Sequence, residues 1–186
     1  MRAYFTASVT GKKQYQKNYE SIVSLLKKNS VEVIADHILK KHASRIEAKT
    51  EEERIENQRK LEKNIHASDC IIAETSYPSV NVGYEIAYAL HADKPVLVLY
   101  SRGISPSMLT HRDEEHLCCE HYDEKMLPSI IEDFLSYVHG STCTRFTFFI
   151  SSEIGSYLEK TAKKNNLPKA VYLRDLILLD MKNQSF

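Results

Sequence analysis

The chain has 186 residues, with 25 basic side chains balancing 25 acidic ones, 42% hydrophobic and 27% charged residues, and only five Gly and five Pro. That length holds one full α/β domain plus a small appendage, and the composition excludes a disordered or collagen-like chain. Net charge supplies no overall field toward nucleic acid or membrane, no run approaches the roughly 20 apolar residues that span a bilayer, and Met1–Phe5 does not open a signal peptide.

Taken in chain order, Ala3–Val9 is short and β-prone, Thr10 and Gly11 punctuate it, and Tyr19, Ile22, Val23, Leu25 and Leu26 recur at helical spacing. Val31–Ala35 reads as a second strand. A charged segment from about Arg45 to Ala67, free of Gly and Pro, predicts a long solvated helix. Asp69–Glu74 is nearly all apolar apart from its two ends, the pattern of an internal parallel strand covered on both faces, and is placed at the sheet centre. The loop Thr75–Val82 leads to a helix expected from Gly83 to Leu90, and Val96–Tyr100 is another buried strand. A short strand near Leu117–Glu120 and a helix from about Lys125 to Val138 follow. Strand and helix alternate, which predicts an α/β fold with a doubly wound, five-stranded parallel sheet of Rossmann-like or flavodoxin-like type over residues 1–139.

His139–Thr142 breaks the helical pattern and marks a domain boundary. Beyond it, Arg145–Ile150 alternates like a strand, Ser151 is placed to cap a helix, and two helices flank Asn165–Pro168. One strand and two helices, over residues 144–186, bury too little alone, so this module is expected to pair with a second copy. The four cysteines, Cys70, Cys118, Cys119 and Cys143, include no CxxC pair and fit a reducing cytoplasm. His111, His116, Cys118, Cys119 and His121 crowd one stretch, but their spacing is not that of a zinc site, and neighbours on a strand point to opposite faces.

In an open parallel sheet, ligands bind beyond the carboxyl ends of the strands. Two loops sit there: one carries Ser8, Thr10 and Gly11, the other Ser76 and Ser79 and, leading into the helix, Asn81 and Gly83. Hydroxyls, a glycine and a helix N-terminus together suit an anion such as a phosphate. Glu85, read as lying in the first turn of its helix, is where the dipole favours an ionised carboxylate, the form a glycosyl nucleophile requires. The same position also suits a glutamate that only supports the helix start.

The segments Tyr4–Gly11, Ala67–Glu74 and Pro78–Ile86 together resemble the nucleoside 2-deoxyribosyltransferase superfamily, most closely its 2'-deoxynucleoside 5'-phosphate N-hydrolases, across about the first 140 residues. The resemblance implies cleavage of the N-glycosidic bond of a deoxynucleoside or deoxynucleotide, with retention of configuration and without metal or organic cofactor. It implies Glu85 as the nucleophile and Tyr4 beside the sugar. Ser8, Gly11, Ser79 and the backbone at Asn81 and Gly83 would hold the 5'-phosphate, with Thr10 and Asp69 also lining the substrate. It further implies a homodimer, or higher homo-oligomer, in which Ser105 or Ser107 of a neighbouring subunit completes the pocket. The sequence departs from the family where an aspartate serves the leaving base: that position is Leu61. Asn81 likewise replaces a common glycine.

Residues 144–182 resemble a ribbon–helix–helix domain of bacterial repressors and antitoxins. That resemblance implies that Phe146, Phe148 and Ile150 face a core, that Arg145 and Thr147 face DNA, and that Lys169 opens a second helix able to hold a DNA phosphate, with Tyr172, Leu173, Leu176, Ile177 and Leu179 as its apolar face. Phe149 stands where a polar reader is usual. Two readings therefore stand: an N-glycosidase or deoxyribosyltransferase, or a nucleotide sensor that binds without cleaving and is coupled to a DNA-binding dimer.

Overall fold

The computed structural model describes residues 1–39, 50–101, 116–140, 150–165, 167 and 169–184. Five strands, β1 (Arg2–Ala7), β2 (Glu32–Ile34), β3 (Cys70–Glu74), β4 (Val96–Tyr100) and β5 (Leu117–His121), form one sheet in the order β2-β1-β3-β4-β5. Every pairing is parallel, and Tyr4 lies opposite Ile71 while Ala7 lies opposite Glu74. The chain winds outward from β1 to β2, then back past β1 to β3. The topological switch point therefore lies between β1 and β3, where a crevice opens at the carboxyl ends.

Helices cover both faces, as parallel strands require. Helix α1 (Lys12–Lys28) and helix α5 (Leu127–Val138) lie on one side, and α3 (Glu51–His66) and α4 (Val80–His91) on the other; a single turn, α2 (Asp36–Leu39), follows β2. Strand residues alternate between the two cores. Phe5, Ile72, Leu97 and Leu99 pack with Tyr19, Ile22, Leu26, Ile131 and Phe134 on the α1/α5 side. Tyr4, Ile71, Ala73 and Val98 pack with Ile65, Val82, Ile86 and Ala89 on the α3/α4 side. Cys118 and Cys119 divide between these two cores in the same way.

Local chemistry sets the helix ends. Thr50 and Glu53 form a capping box that begins α3, six residues later than the expected start near Arg45. Residues 40–49 lie outside those described. The Ser79 hydroxyl accepts from Val82 N and begins α4 at Val80, three residues before the expected start at Gly83. Helix α5 stops where Gly140 adopts φ +64°, a left-handed conformation that closes helices and favours glycine.

Two further helices, α6 (Ser152–Lys164) and α7 (Lys169–Gln184), follow. Ser151 caps α6 through Ile154 N, as its position in the sequence predicts. Leu158 and Ala162 are buried, whereas Leu176, Ile177, Leu178, Leu179 and Met181 are exposed. Four consecutive apolar residues, at about 100° each, circle the helix, so exposed apolar surface extends beyond the expected face of α7. Ile150 is also exposed and belongs to no strand among the described residues. Arg145, Thr147, Phe146, Phe148 and Phe149 lie outside the described residues. The Arg174 guanidinium makes a bidentate pair with Asp133 of α5, at 2.9 and 3.1 Å.

Candidate active site

Tyr4 and Glu85 meet at the switch point. Tyr4 occupies the middle of β1 on the α3/α4 face, and its hydroxyl donates to Glu85 Oε2 at 3.0 Å. Thr6, two residues on, shares that face because strand side chains alternate. It is fully buried, and its Oγ1 has no hydrogen-bond partner among the described residues, although it lies near enough to Glu85 to favour the charged form. A buried hydroxyl without a partner is costly unless something else satisfies it. A sugar hydroxyl entering beside Glu85 would do so.

Glu85 is buried, with 6% of its surface exposed, and lies in the second turn of α4 rather than the first. The helix-dipole argument for a lowered pKa therefore fails, because that effect fades within the first turn. Burial raises the Glu85 carboxyl above its ordinary range, and the nearby Thr6 hydroxyl and the hydrogen bond from Tyr4 offset it only in part. The charged form is therefore held at a cost.

The two loops approach each other directly. A Cβ added at Gly11 would come within 2.5 Å of the Tyr77 Cβ, so only glycine lets the β3–α4 loop lie against the β1–α1 loop. Ser8 is buried, and its Oγ accepts from Gly11 N at 3.2 Å, a loop-closing role rather than an exposed one. Thr10 is exposed beside it. Ser79 accepts from Val82 N, which leaves its own O–H to donate. Asn81 and Gly83 are exposed in the first turns of α4, and a Cβ at Gly83 would meet nothing within 4 Å.

Asp69 does not join this group. It precedes β3 at the amino end of the sheet, where its Oδ2 accepts from Arg2 N at 2.7 Å and its own N–H donates to Arg2 O. A whole strand separates it from Glu85, so it is removed from the candidate substrate contacts. Leu61, at the position of the family's acid, packs half-buried against the cluster containing Tyr4 and Ile86. Its neighbour Glu62 turns to Tyr84 Oη at 3.3 Å and Gln58 Nε2 at 3.0 Å, and Glu56 pairs with Lys60 on the exposed face of α3. These carboxylates are held by residues of α3 and α4. Ser105 and Ser107 lie outside the described residues.

Sequence reasoning missed Thr6, although its spacing of two from Tyr4 was a usable signal. It also missed Glu74 and Tyr122, which with Ser76, read only as a hydroxyl of the anion loop, form a polar cluster on the opposite face of the sheet. A glutamate closing an otherwise apolar strand was the available clue.

A parallel five-stranded sheet carrying a buried Tyr–Glu pair at its switch point defines a class of α/β proteins built to hold a small polar ligand. Residues 3–140 match the family model described as nucleoside 2-deoxyribosyltransferase, and the chain belongs to that family. A Methanosarcina barkeri protein bearing the name 2'-deoxynucleoside 5'-phosphate N-hydrolase 1 is 31% identical over 137 residues, 72% of this chain and 84% of that protein. A Branchiostoma floridae 5-hydroxymethyl-dUMP N-hydrolase is 34% identical over 76 residues, 39% of this chain and 72% of that one. The solved 2-deoxyribosyltransferase of Bacillus psychrosaccharolyticus superposes with a TM-score of 0.51 at 12% identity, covering 70% of this chain and 90% of that chain, a likeness of fold alone. No helix among the described residues is long and apolar enough to cross a membrane.

Proposed function

We propose that the chain cleaves the N-glycosidic bond of a deoxynucleoside or deoxynucleoside 5'-monophosphate, with Glu85 as nucleophile. The observation that carries this reading is the Tyr4–Glu85 pair beside the unpartnered Thr6 hydroxyl. A Glu85 oxygen attacks the anomeric carbon as the C1'–N bond breaks, and the base leaves with the bonding electrons. Water then attacks the glycosyl ester on the opposite face from Glu85, giving net retention; a second base in place of water gives transfer. Tyr4 holds Oε2 so that Oε1 faces the sugar. Ser79 and the N–H groups opening α4 receive a 5'-phosphate, with Thr10 and Gly11 as the facing loop and Ser8 holding that loop closed. With Leu61 in place of an acid, the base takes its proton from solvent, and bases that stabilise negative charge leave fastest.

The test is a panel of deoxynucleosides and their monophosphates, incubated with the protein and resolved by chromatography for free base. Release by wild type and none by Glu85→Gln supports the reading. No release from any substrate, or equal release by the variant, overturns it.

Leu61 and the apolar circumference of α7 favour a second reading. In it the first domain binds a nucleotide without turnover, and residues 144–186 pair with a second copy as a ribbon–helix–helix dimer that contacts DNA through Arg145, Thr147 and Lys169. That reading expects calorimetric binding of a monophosphate without base release, and DNA affinity that falls steeply with salt. Undetectable DNA binding at low salt, with or without nucleotide, overturns it and leaves α6 and α7 as an oligomerisation element. In either reading the protein acts as a homo-oligomer in the cytoplasm.

A further inference from the structure

A second buried carboxylate stands across the sheet from Glu85. Glu74 ends β3 on the α1/α5 face and is fully buried. Its Oε1 accepts from Ser76 N at 3.3 Å, from Tyr122 Oη at 3.1 Å, and from Ser76 Oγ. Ser76 Oγ in turn accepts from Ser101 N at 2.8 Å and lies 3.0 Å from Ser101 Oγ, while Asn18 Nδ2 donates to Tyr122 Oη at 2.8 Å. One carboxylate oxygen thus collects donors from the β3–α4 loop and the segment after β5, and through them from α1 and the end of β4.

We infer that Glu74 is a positioning residue: by drawing Ser76 and Tyr122 onto one oxygen, and Ser101 onto Ser76, it clamps the loop Thr75–Ser79 that delivers Ser79 and the start of α4 to the phosphate end of the site. The inference rests on the N-glycosidase reading for its kinetic consequence, but not for the clamp itself. Two further contacts hold the same loop. Thr75 N donates to Leu99 O at 2.8 Å, and Tyr77 lies on Gly11. Tyr4, Thr6 and Glu85 are held by β1 and by the second turn of α4, and none of the clamp's hydrogen bonds given above involves them. Loosening it therefore disturbs the phosphate cradle and spares the sugar site.

Truncating Glu74 to a smaller residue would leave a cavity and unpaired donors in the core, so the test removes one donor at a time. Ser76→Ala takes away a donor to Glu74 and the acceptor of the Ser101 amide. Tyr122→Phe takes away the other side-chain donor. In Ser76→Ala, amide hydrogen exchange at Ser76 and Ser101 is expected to accelerate about tenfold or more, and KM for a deoxynucleoside monophosphate to rise about tenfold, the worth of one hydrogen bond to a charged group. KM for the matching deoxynucleoside, which lacks the phosphate, stays within about twofold, Ser76→Thr restores both readouts, and Tyr122→Phe shifts both in the same direction by less. Unchanged exchange at these amides overturns the clamp. Equal losses with both substrates overturn the positioning role in favour of general destabilisation. If wild type neither binds nor cleaves any of these substrates, the N-glycosidase reading fails and takes the phosphate-positioning role with it, while exchange still decides whether the clamp exists.

Discussion

Glu74 and Glu85 are both buried near the carboxyl end of the central strand, and both have carboxyls raised by desolvation, yet their surroundings differ. Glu74 is tied through Oε1 to three donors that belong to the protein, while its Oε2 has none among the described residues. Glu85 has one, Tyr4, with a second hydroxyl left open at Thr6. The difference teaches that burial alone does not mark a reactive group. A carboxylate oxygen that gathers donors from several segments anchors them; one beside an unused hydroxyl at the crevice of the switch point is open to a ligand.

The sharpest way to break this comparison is to neutralise each carboxylate isosterically. Glu85→Gln is expected to lower base release by about 10³-fold or more, because an amide cannot form the glycosyl ester. Glu74→Gln still accepts through its carbonyl and should cost at most about tenfold, in KM rather than kcat. Comparable kcat losses would show that the two sites do not differ in kind.

Next in size is the missing acid. Leu61→Asp places a carboxyl where the half-buried leucine now packs, and is expected to raise kcat by about 10²-fold or more through protonation of the leaving base. Single-turnover measurement of base release checks it, and no gain would mean that the leaving group is served from elsewhere. Tyr4→Phe removes the hydroxyl on Glu85 and should reduce kcat/KM by roughly 10- to 100-fold, the range of a hydrogen bond to a charged acceptor.

The smallest effects are those of pH. Because burial raises the Glu85 carboxyl above 4.5, the acid limb of kcat/KM should lie above that value, as read from a pH–rate profile. The sign for stability follows from linkage. A carboxyl with a raised pKa in the folded state binds its proton more tightly there, so its contribution is greatest below about 4.5 and is lost as pH rises through the folded value. Glu85→Gln should therefore raise Tm at pH 7 by a few degrees, about 2–4 °C per kcal/mol, and do so less at pH 4.5. Glu74→Gln should behave alike, its gain reduced by an amide proton left without an acceptor.

The first 140 residues and the two terminal helices form a second contrast. Within the sheet domain, apolar runs of strand length and helical spacings located every described strand and each long helix, because hydrophobic period reports directly which face is buried. Helix starts were less legible: Thr50 with Glu53 and Ser79 alone are caps that sequence carries, but longer periodic patterns mask them. In α7 the expected apolar face is joined by Leu178, and Leu176–Leu179 leave exposed apolar surface around the helix.

By itself, the sequence determined the parallel α/β sheet, the central place of β3, the two loops at its switch point and the pairing of Tyr4 with Glu85 through recognisable motifs. Those features depend on local periodicity and on short ordered segments. Only the tertiary structure decided that Asp69 lies at the other end of the sheet from Glu85, that Thr6 is buried without a partner among the described residues, that Glu85 is raised rather than lowered in pKa, and that Glu74 gathers Ser76 and Tyr122 and, through them, Ser101 and Asn18. Each of these depends on burial or on contacts between residues distant in sequence, where desolvation and donor supply are set by neighbours that no local window contains.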